Sequence, residues 1–342
     1  RVGDVELMTL HKLTAGDGYQ YLIRQVVALD DTSRGRASLA DYYSSKGETP
    51  GRWMGRGLAS LGQPVGRDPG DPLVAEYWTV AEGSEVSEPQ MKALFGEGLH
   101  PNAEKIAEVL LDRGVAVAAA ASRLGRPFRV DAGENAFIRR LREAYGAYNI
   151  SVGANRSAKI PDEIRAEIRS ALGREMFAEE HGRAPFDARE LSGFVARQSA
   201  SMTKAVAGYD LTFTPVKSVS VVWALAPRAL ARQIEQAHRR AVEVAIEFLE
   251  EHAAFTRMGS RAVAQVDTTG LIVAAFDHRD SRAGDPNLHT HITVSNKVCA
   301  IGPDGIARWL ALDGTPLHQS TVAASEVYNT ALEGLLTELG FR

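Results

Sequence analysis

Apolar and polar side chains alternate across residues 209–214 (Tyr209-Asp210-Leu211-Thr212-Phe213-Thr214), the period of a strand with one buried face. Strand patterns also mark residues 5–12, 263–267, 271–278, 288–300 and 306–312. The last two are joined by the turn Gly302-Pro303-Asp304-Gly305. Short links between successive strands predict antiparallel pairing. Helical spacing appears at Leu22, Ile23, Val26 and Val27, along a long amphipathic stretch at 227–252, and after Gln319 to the last residue. Ser87-Glu88-Pro89-Gln90 reads as a capping box, Asn102 as the cap of 103–112 ahead of Gly114, and Asp187-Ala188-Arg189-Glu190 as the start of a helix to about 199. With 132–148 and 161–180 also helical, residues 97–205 read as a helical insertion. It separates an N-terminal part, 1–96, from a C-terminal part, 206–342. The expected fold class is α+β: an antiparallel β-sheet with flanking helices and that insertion. Residues 30–73, rich in Gly, Pro, Ser and Arg, read as loops around short elements.

With 342 residues, 44% of them hydrophobic, the chain can fill a core, which excludes wholesale disorder and fibrous classes. Lys and Arg number 39 against 43 Asp and Glu, a net charge of −4, so a globally basic DNA-coating protein is excluded and any nucleic-acid surface is local. Arg52, Arg56, Arg67, Arg123, Arg126, Arg129, Arg139, Arg140 and Arg142 either track a phosphate backbone or form solvated helix faces. Trp53, Trp78 and Phe128 offer stacking planes. A single cysteine fits a reducing, cytoplasmic compartment and excludes a Cys-based zinc site. Apolar runs are too short for membrane insertion, and no secretory signal opens the chain. It begins with Arg, which reads as a piece trimmed from a longer polypeptide. No phosphate-binding Gly-x-x-x-x-Gly-Lys-Ser/Thr loop occurs, so no nucleotide hydrolysis is expected.

The chemistry concentrates in two stretches. On a strand, His289 and His291 point to one face and Thr290, Ile292 and Val294 to the other. His278 ends the preceding strand, and the loop through Asp285-Pro286-Asn287 returns the chain beside it. Three imidazoles converging from adjacent strands make a facial metal site with open positions. The alternative is surface or capping histidines. Imidazole donors favour Zn, Mn, Ni or Co over Mg.

These stretches carry a resemblance. Ala207-Gly208-Tyr209-Asp210-Leu211-Thr212-Phe213-Thr214-Pro215-Val216-Lys217-Ser218-Val219-Ser220, together with His278 and His289-Thr290-His291, resembles conjugative relaxases of the MobF class, in the HUH endonuclease superfamily. Met8 to Leu13, Tyr42-Tyr43 and Arg52-Trp53-Met54-Gly55 with Gly57 are similar to that family's opening. The likeness covers about residues 5–62 and 206–320.

The resemblance implies an N-terminal relaxase domain with a palm-like antiparallel sheet. It also implies site- and strand-specific nicking and joining of single-stranded DNA at a plasmid or integrative-element origin of transfer. A tyrosine attacks the scissile phosphate and leaves a 5′-phosphotyrosine and a free 3′-OH. Tyr19, just after the Gly-rich turn, is the first expected nucleophile, with Tyr21 or Tyr42 performing a second cleavage. Asp210 is expected to orient a ligand histidine and accept the phenolic proton, or else to cap a strand end. Lys217 either touches phosphate or caps a strand end. The family implies Mg or Mn at His278, His289 and His291, whereas ligand type allows Zn or Ni. Accessory relaxosome proteins and a coupling protein are the implied partners, and relatives continue into a helicase. Three other readings are a rolling-circle replication initiator, a non-catalytic DNA-binding module and a three-histidine zinc hydrolase with a water nucleophile. The insertion, absent from the compact pattern, recognises a DNA hairpin or docks a protein.

Overall fold

The computed structural model describes residues 8–24, 50–63, 72–114, 122–128, 136–199, 205–259, 263–281 and 285–341. In chain order these hold β1 (Met8–Thr14), a 3-10 turn (Asp17–Tyr19), α1 (Gln20–Arg24), β2 (Arg52–Met54), α2 (Leu58–Leu61) and a π-helical turn (Val74–Trp78). Then come α3 (Glu88–Met91), a second π-helical turn (Lys92–Glu97), α4 (Ala103–Asp112), α5 (Ala136–Ser151), α6 (Asp162–His181) and α7 (Ala188–Ser199). The remainder is β3 (Val206–Phe213), α8 (Lys217–Leu225), α9 (Arg228–His252), β4 (Phe255–Met258), β5 (Ala264–Asp267), β6 (Val273–Asp280), β7 (Pro286–Ser295), β8 (Lys297–Ile301), β9 (Ala307–Ala311), α10 (Gly314–Gln319) and α11 (Thr321–Glu338). Contacts divide the chain into residues 1–128 with 205–342, and residues 129–204. The helical unit therefore starts later than the 97 expected from pattern. α4 belongs to the larger unit, where Ile106 and Leu110 pack on Leu73, Val74 and Trp78. No helix among the described residues is long and apolar enough to cross a membrane.

The larger unit is organised by a five-stranded sheet, order β1-β3-β7-β6-β2, with every neighbouring pair antiparallel. Strand alternation sorts its side chains. Leu211 and Phe213 of β3, Ile292 and Val294 of β7, and Val273 and Ala275 of β6 share one core cluster. Against that face lies α9, whose buried residues Ile234, Ala237, His238, Ala241, Val242, Ala245, Ile246 and Leu249 keep the three-four spacing of a one-sided helix. Tyr328 and Leu332 of α11 join them. Each large aliphatic side chain fully removed from water here is worth about 1.5–3 kcal/mol.

The opposite face is covered over only part of its length. Leu13, Tyr19, Leu22, Trp53, Met91, Leu94, Phe95, Ala274 and Phe276 form a second core there. Gly208 makes the approach possible, because a Cβ at that position would lie 2.3 Å from the Val294 carbonyl oxygen and 3.1 Å from the Phe95 ring. The Gly55–Gly57 segment has a similar reason for its glycines. Gly55 has φ +99°, and Gly57 donates its N–H to the Leu271 carbonyl at 3.0 Å, leaving no room for side chains. This part of the family-like opening is thus structural.

The run 288–300, expected as one strand, is two. At Asn296 the chain leaves the sheet: its N–H donates to the Ala207 carbonyl at 2.8 Å and its side-chain amide to the Val206 carbonyl at 2.7 Å. β8 then pairs with β9 as a separate hairpin. The capping box at Ser87 is present as expected, but the Asn102 side chain does not cap α4 and instead bonds Gln90, Tyr77 and Thr79.

In the smaller unit α5, α6 and α7 pack on Phe137, Leu172, Phe177, Leu191 and Phe194. Phe177 meets Phe194 edge-on at 5.2 Å and stacks on His181 at 4.2 Å.

Candidate active site

β6 and β7 meet in register at His278↔His289, and β7 continues to β3 through His291↔Thr212. Alternation therefore brings all three histidines to the face that the second core leaves open. Their ring centroids form an equal-sided triangle of 5.3 Å. Imidazoles bound to one ion through nitrogen bonds of about 2.1 Å have centroids about 5 Å apart, so the spacing fits a shared cation. The tautomers fit as well. His289 donates its Nδ1–H to the Asn287 carbonyl at 2.8 Å, and His291 donates Nδ1–H to Asp210 at 3.0 Å. In both rings Nε2 is left with its lone pair, the usual arrangement for a ligand histidine. Burial, then the neighbouring rings, pushes His278 down to about 3, and burial lowers His289 too, so both stay neutral donors at neutral pH. As the side chains stand, no group of three His, Cys, Asp or Glu among the described residues is placed to hold a metal ion. What the triangle supplies is donor type, tautomer and spacing.

Asp210, fully buried on β3, joins this triangle to a tyrosine. Its carboxylate lies 3.0–3.1 Å from His291 Nδ1 and accepts the Tyr21 hydroxyl at 2.5 Å. Thr212 Oγ1 stands 3.2 Å from the same imidazole nitrogen. Tyr21 reaches this place because β1 ends in a tight turn, stitched by the Ala15 N–H to the Ala205 carbonyl at 2.8 Å and the Gly16 N–H to the Gly96 carbonyl at 2.9 Å. Burial, then the Asp210 charge, raises the Tyr21 hydroxyl well above its ordinary value, so it is a protonated donor.

Tyr19 goes elsewhere. It is 4% exposed and packs in the second core beside Leu13, Phe95 and Leu22. Tyr42, with Tyr43, Arg67 and Arg129, lies outside the described residues.

Several expected DNA contacts are occupied internally. Trp53 and Trp78 are 0% and 1% exposed and cannot stack on a base; Trp53 Nε1 donates to Gln90. Phe128 is half-buried beneath the Lys297 ammonium. Arg52 pairs with Asp277 at 2.7 Å, Arg56 with Glu250 at 2.9 Å and Arg140 with Glu179 at 2.9 Å. Lys217 donates to the Pro286 carbonyl at 2.7 Å, a strand-end contact. Arg123 and Arg126 are exposed.

Sequence reasoning missed a polar string behind the histidines, on the α9 side of the sheet. Tyr328 Oη lies 2.8 Å from His238 Nδ1, His238 Nε2 lies 2.8 Å from Thr290 Oγ1, and Thr290 donates to Asp277 at 2.7 Å. Arg52 and Arg239 both reach the far oxygen of Asp277. Burial works against that carboxylate, but the two guanidinium groups outweigh it and hold its pKa low. A signal was available: an Asp and a His stand at positions the periodicity assigns to the core.

Comparison with known proteins gives the family. Residues 15–342 match the family model described as TrwC relaxase. The chain is 37% identical over 115 residues to the multifunctional conjugation protein TraI of Escherichia coli, a stretch covering 34% of this chain and 6% of that protein. Among solved structures it is similar to the conjugative relaxase TrwC in complex with oriT DNA, copper-bound, at 21% identity and TM-score 0.46 over 98% of this chain and 71% of that one. A second is TrwC complexed with a 27-mer DNA comprising the recognition hairpin and the cleavage site, at 29% identity and TM-score 0.35 over 48% and 61%. The match over nearly the full length of the sequence decides the matter: the chain belongs to the TrwC relaxase family.

Proposed function

We propose that this chain is the nicking and joining module of a conjugative relaxase, opening one DNA strand at an origin of transfer and remaining attached to its 5′ end. The observation that carries the reading is the continuous line Tyr21–Asp210–His291 leading into the histidine triangle. Tyr21 Oη attacks the scissile phosphorus. The bond to the 3′ oxygen breaks, a 5′-phosphotyrosine forms, and the leaving 3′ oxygen takes a proton from solvent to become a hydroxyl. The phenolic proton passes to Asp210, the carboxylate already accepting it. His291, donating to the same carboxylate, fixes its position. His278, His289 and His291 would hold a divalent cation, which supplies positive charge for the non-bridging phosphate oxygens. Three imidazoles favour Mn, Ni, Co or Zn over Mg. Joining is the reverse: a 3′-OH attacks the phosphotyrosine and Tyr21 recovers its proton.

Tyr21, not Tyr19, is therefore assigned the first cleavage, and Tyr42 the second. The family, and a relative named as a conjugation protein, support a transfer origin as the target; relaxosome and coupling proteins are the partners that go with that reading. The test uses single-stranded oligonucleotides tiled over the transfer origin of the element encoding the chain, with Mn²⁺. Wild type should give a protein–DNA adduct that survives denaturing gels, Tyr19→Phe should retain it and Tyr21→Phe should lose it. An adduct at wild-type yield in Tyr21→Phe overturns the assignment, and cleavage with no adduct in wild type points to a water nucleophile.

A further inference from the structure

The polar string behind the histidines occupies a face that is otherwise apolar. Thr290 is 0% exposed and His238 is 1% exposed, amid Ile292, Val294, Ala275, Ala241 and Val242. Replacing a buried polar string by apolar groups of the same shape can be nearly neutral for stability, so a requirement for stability does not by itself account for this one.

Their placement does give one. Thr290 stands between His289 and His291, and Asp277 immediately precedes His278. The two are direct register partners across β6 and β7. One rung further the ladder turns irregular, with a register shift between His278 and Asp280. Backbone pairing thus stops specifying register just beyond the His278↔His289 rung, at the end of the sheet that presents the histidines, and a slip of one residue would send them to the wrong face. The side chains supply what the ladder lacks. The hydrogen bonds run in one direction, from Tyr328 to His238 to Thr290 to Asp277, and each donor has its acceptor. α9 anchors the string through His238 and Arg239, and β2 through Arg52.

We infer that Thr290, Asp277 and His238 are positioning residues: a clamp on the reverse of the sheet that sets the register and orientation in which His278, His289 and His291 face a cation. The inference rests on the proposed role of those histidines as ligands.

Thr290→Val removes the hydroxyl that joins both strands to α9. Isothermal titration with Mn²⁺ and Ni²⁺ should show affinity falling by about 10–100-fold, the range for loss of groups that orient metal ligands. Thr290→Ser should restore it. Ile292→Val, two residues along on the same buried face, should lower Tm yet keep cation affinity within about twofold. Imidazole ¹⁵N spectra of the metal-free protein give a second readout: single tautomers for His289 and His291 in wild type, mixtures in Thr290→Val. If Thr290→Val does not fold, Tyr328→Phe, which removes only the outermost hydroxyl, should shift both readouts the same way. Unchanged ring spectra in the variant, or equal affinity losses in Thr290→Val and Ile292→Val at matched Tm, overturn the clamp. A wild type that binds no cation overturns the ligand reading, and the ring spectra still decide the clamp.

Discussion

Tyr21 donates its hydroxyl to Asp210 at 2.5 Å, and His291 holds the carboxylate from the other side. A phenol raised by burial and a nearby negative charge is a poor nucleophile until that carboxylate takes its proton. Asp210→Asn keeps the shape and removes the base, so adduct formation should slow by about 10²–10⁴-fold in single-turnover assays. The loss should shrink as pH approaches the phenol's own range; a loss constant with pH would assign Asp210 to orientation alone. The histidines were legible in sequence because a period of two leaves no choice of face for His289 and His291. Which of Tyr19 and Tyr21 faces Asp210 was not. A 3-10 turn runs into a short helix there, and two residues along such a segment point in nearly opposite directions, one into the core and one toward Asp210.

β3 shows how an element serves the site. Its apolar side chains fix it to α9, and its other face carries Gly208, Asp210 and Thr212 toward the second core and the histidines. Gly208→Ala would drive a methyl group against the Val294 carbonyl, a backbone atom that cannot swing away. The variant should lose about 1–3 kcal/mol in denaturant titrations, whereas an unchanged midpoint would mean that the strands can separate there. Strand alternation and the stripe of α9 were readable from pattern. The break at Asn296 was not, because it comes from hydrogen bonds to the distant Ala207 and Val206 carbonyls, which no local window contains. The late start of the helical unit escaped for the same reason: α4 is as helical as its successors, and only its packing on Trp78 assigns it to the other unit.

For the molecule as a whole, buried neutral imidazoles tie folding to acidity. His100 and His238 are each pushed down to about 4, chiefly by burial, from an ordinary 6.5. Below 6.5 the unfolded chain takes up protons that the folded rings refuse, so stability falls as pH drops from about 6.5 to about 4 and then levels. The loss is on the order of 3 kcal/mol per ring. Denaturant midpoints of metal-free protein at pH 7.5, 6 and 5 check this, and a midpoint flat across that interval would contradict it. Carboxylates held low by arginines, such as Glu190 at about 2, act in a more acidic window.

The stitched turn after β1 has a mechanical consequence. If Tyr21 carries a DNA strand as proposed, any pull on that strand would enter the protein at α1. The first links to feel it would be Ala15 to Ala205 and Gly16 to Gly96, which tie the attachment point to two segments remote in sequence. The load would spread into the interior instead of peeling a loose end.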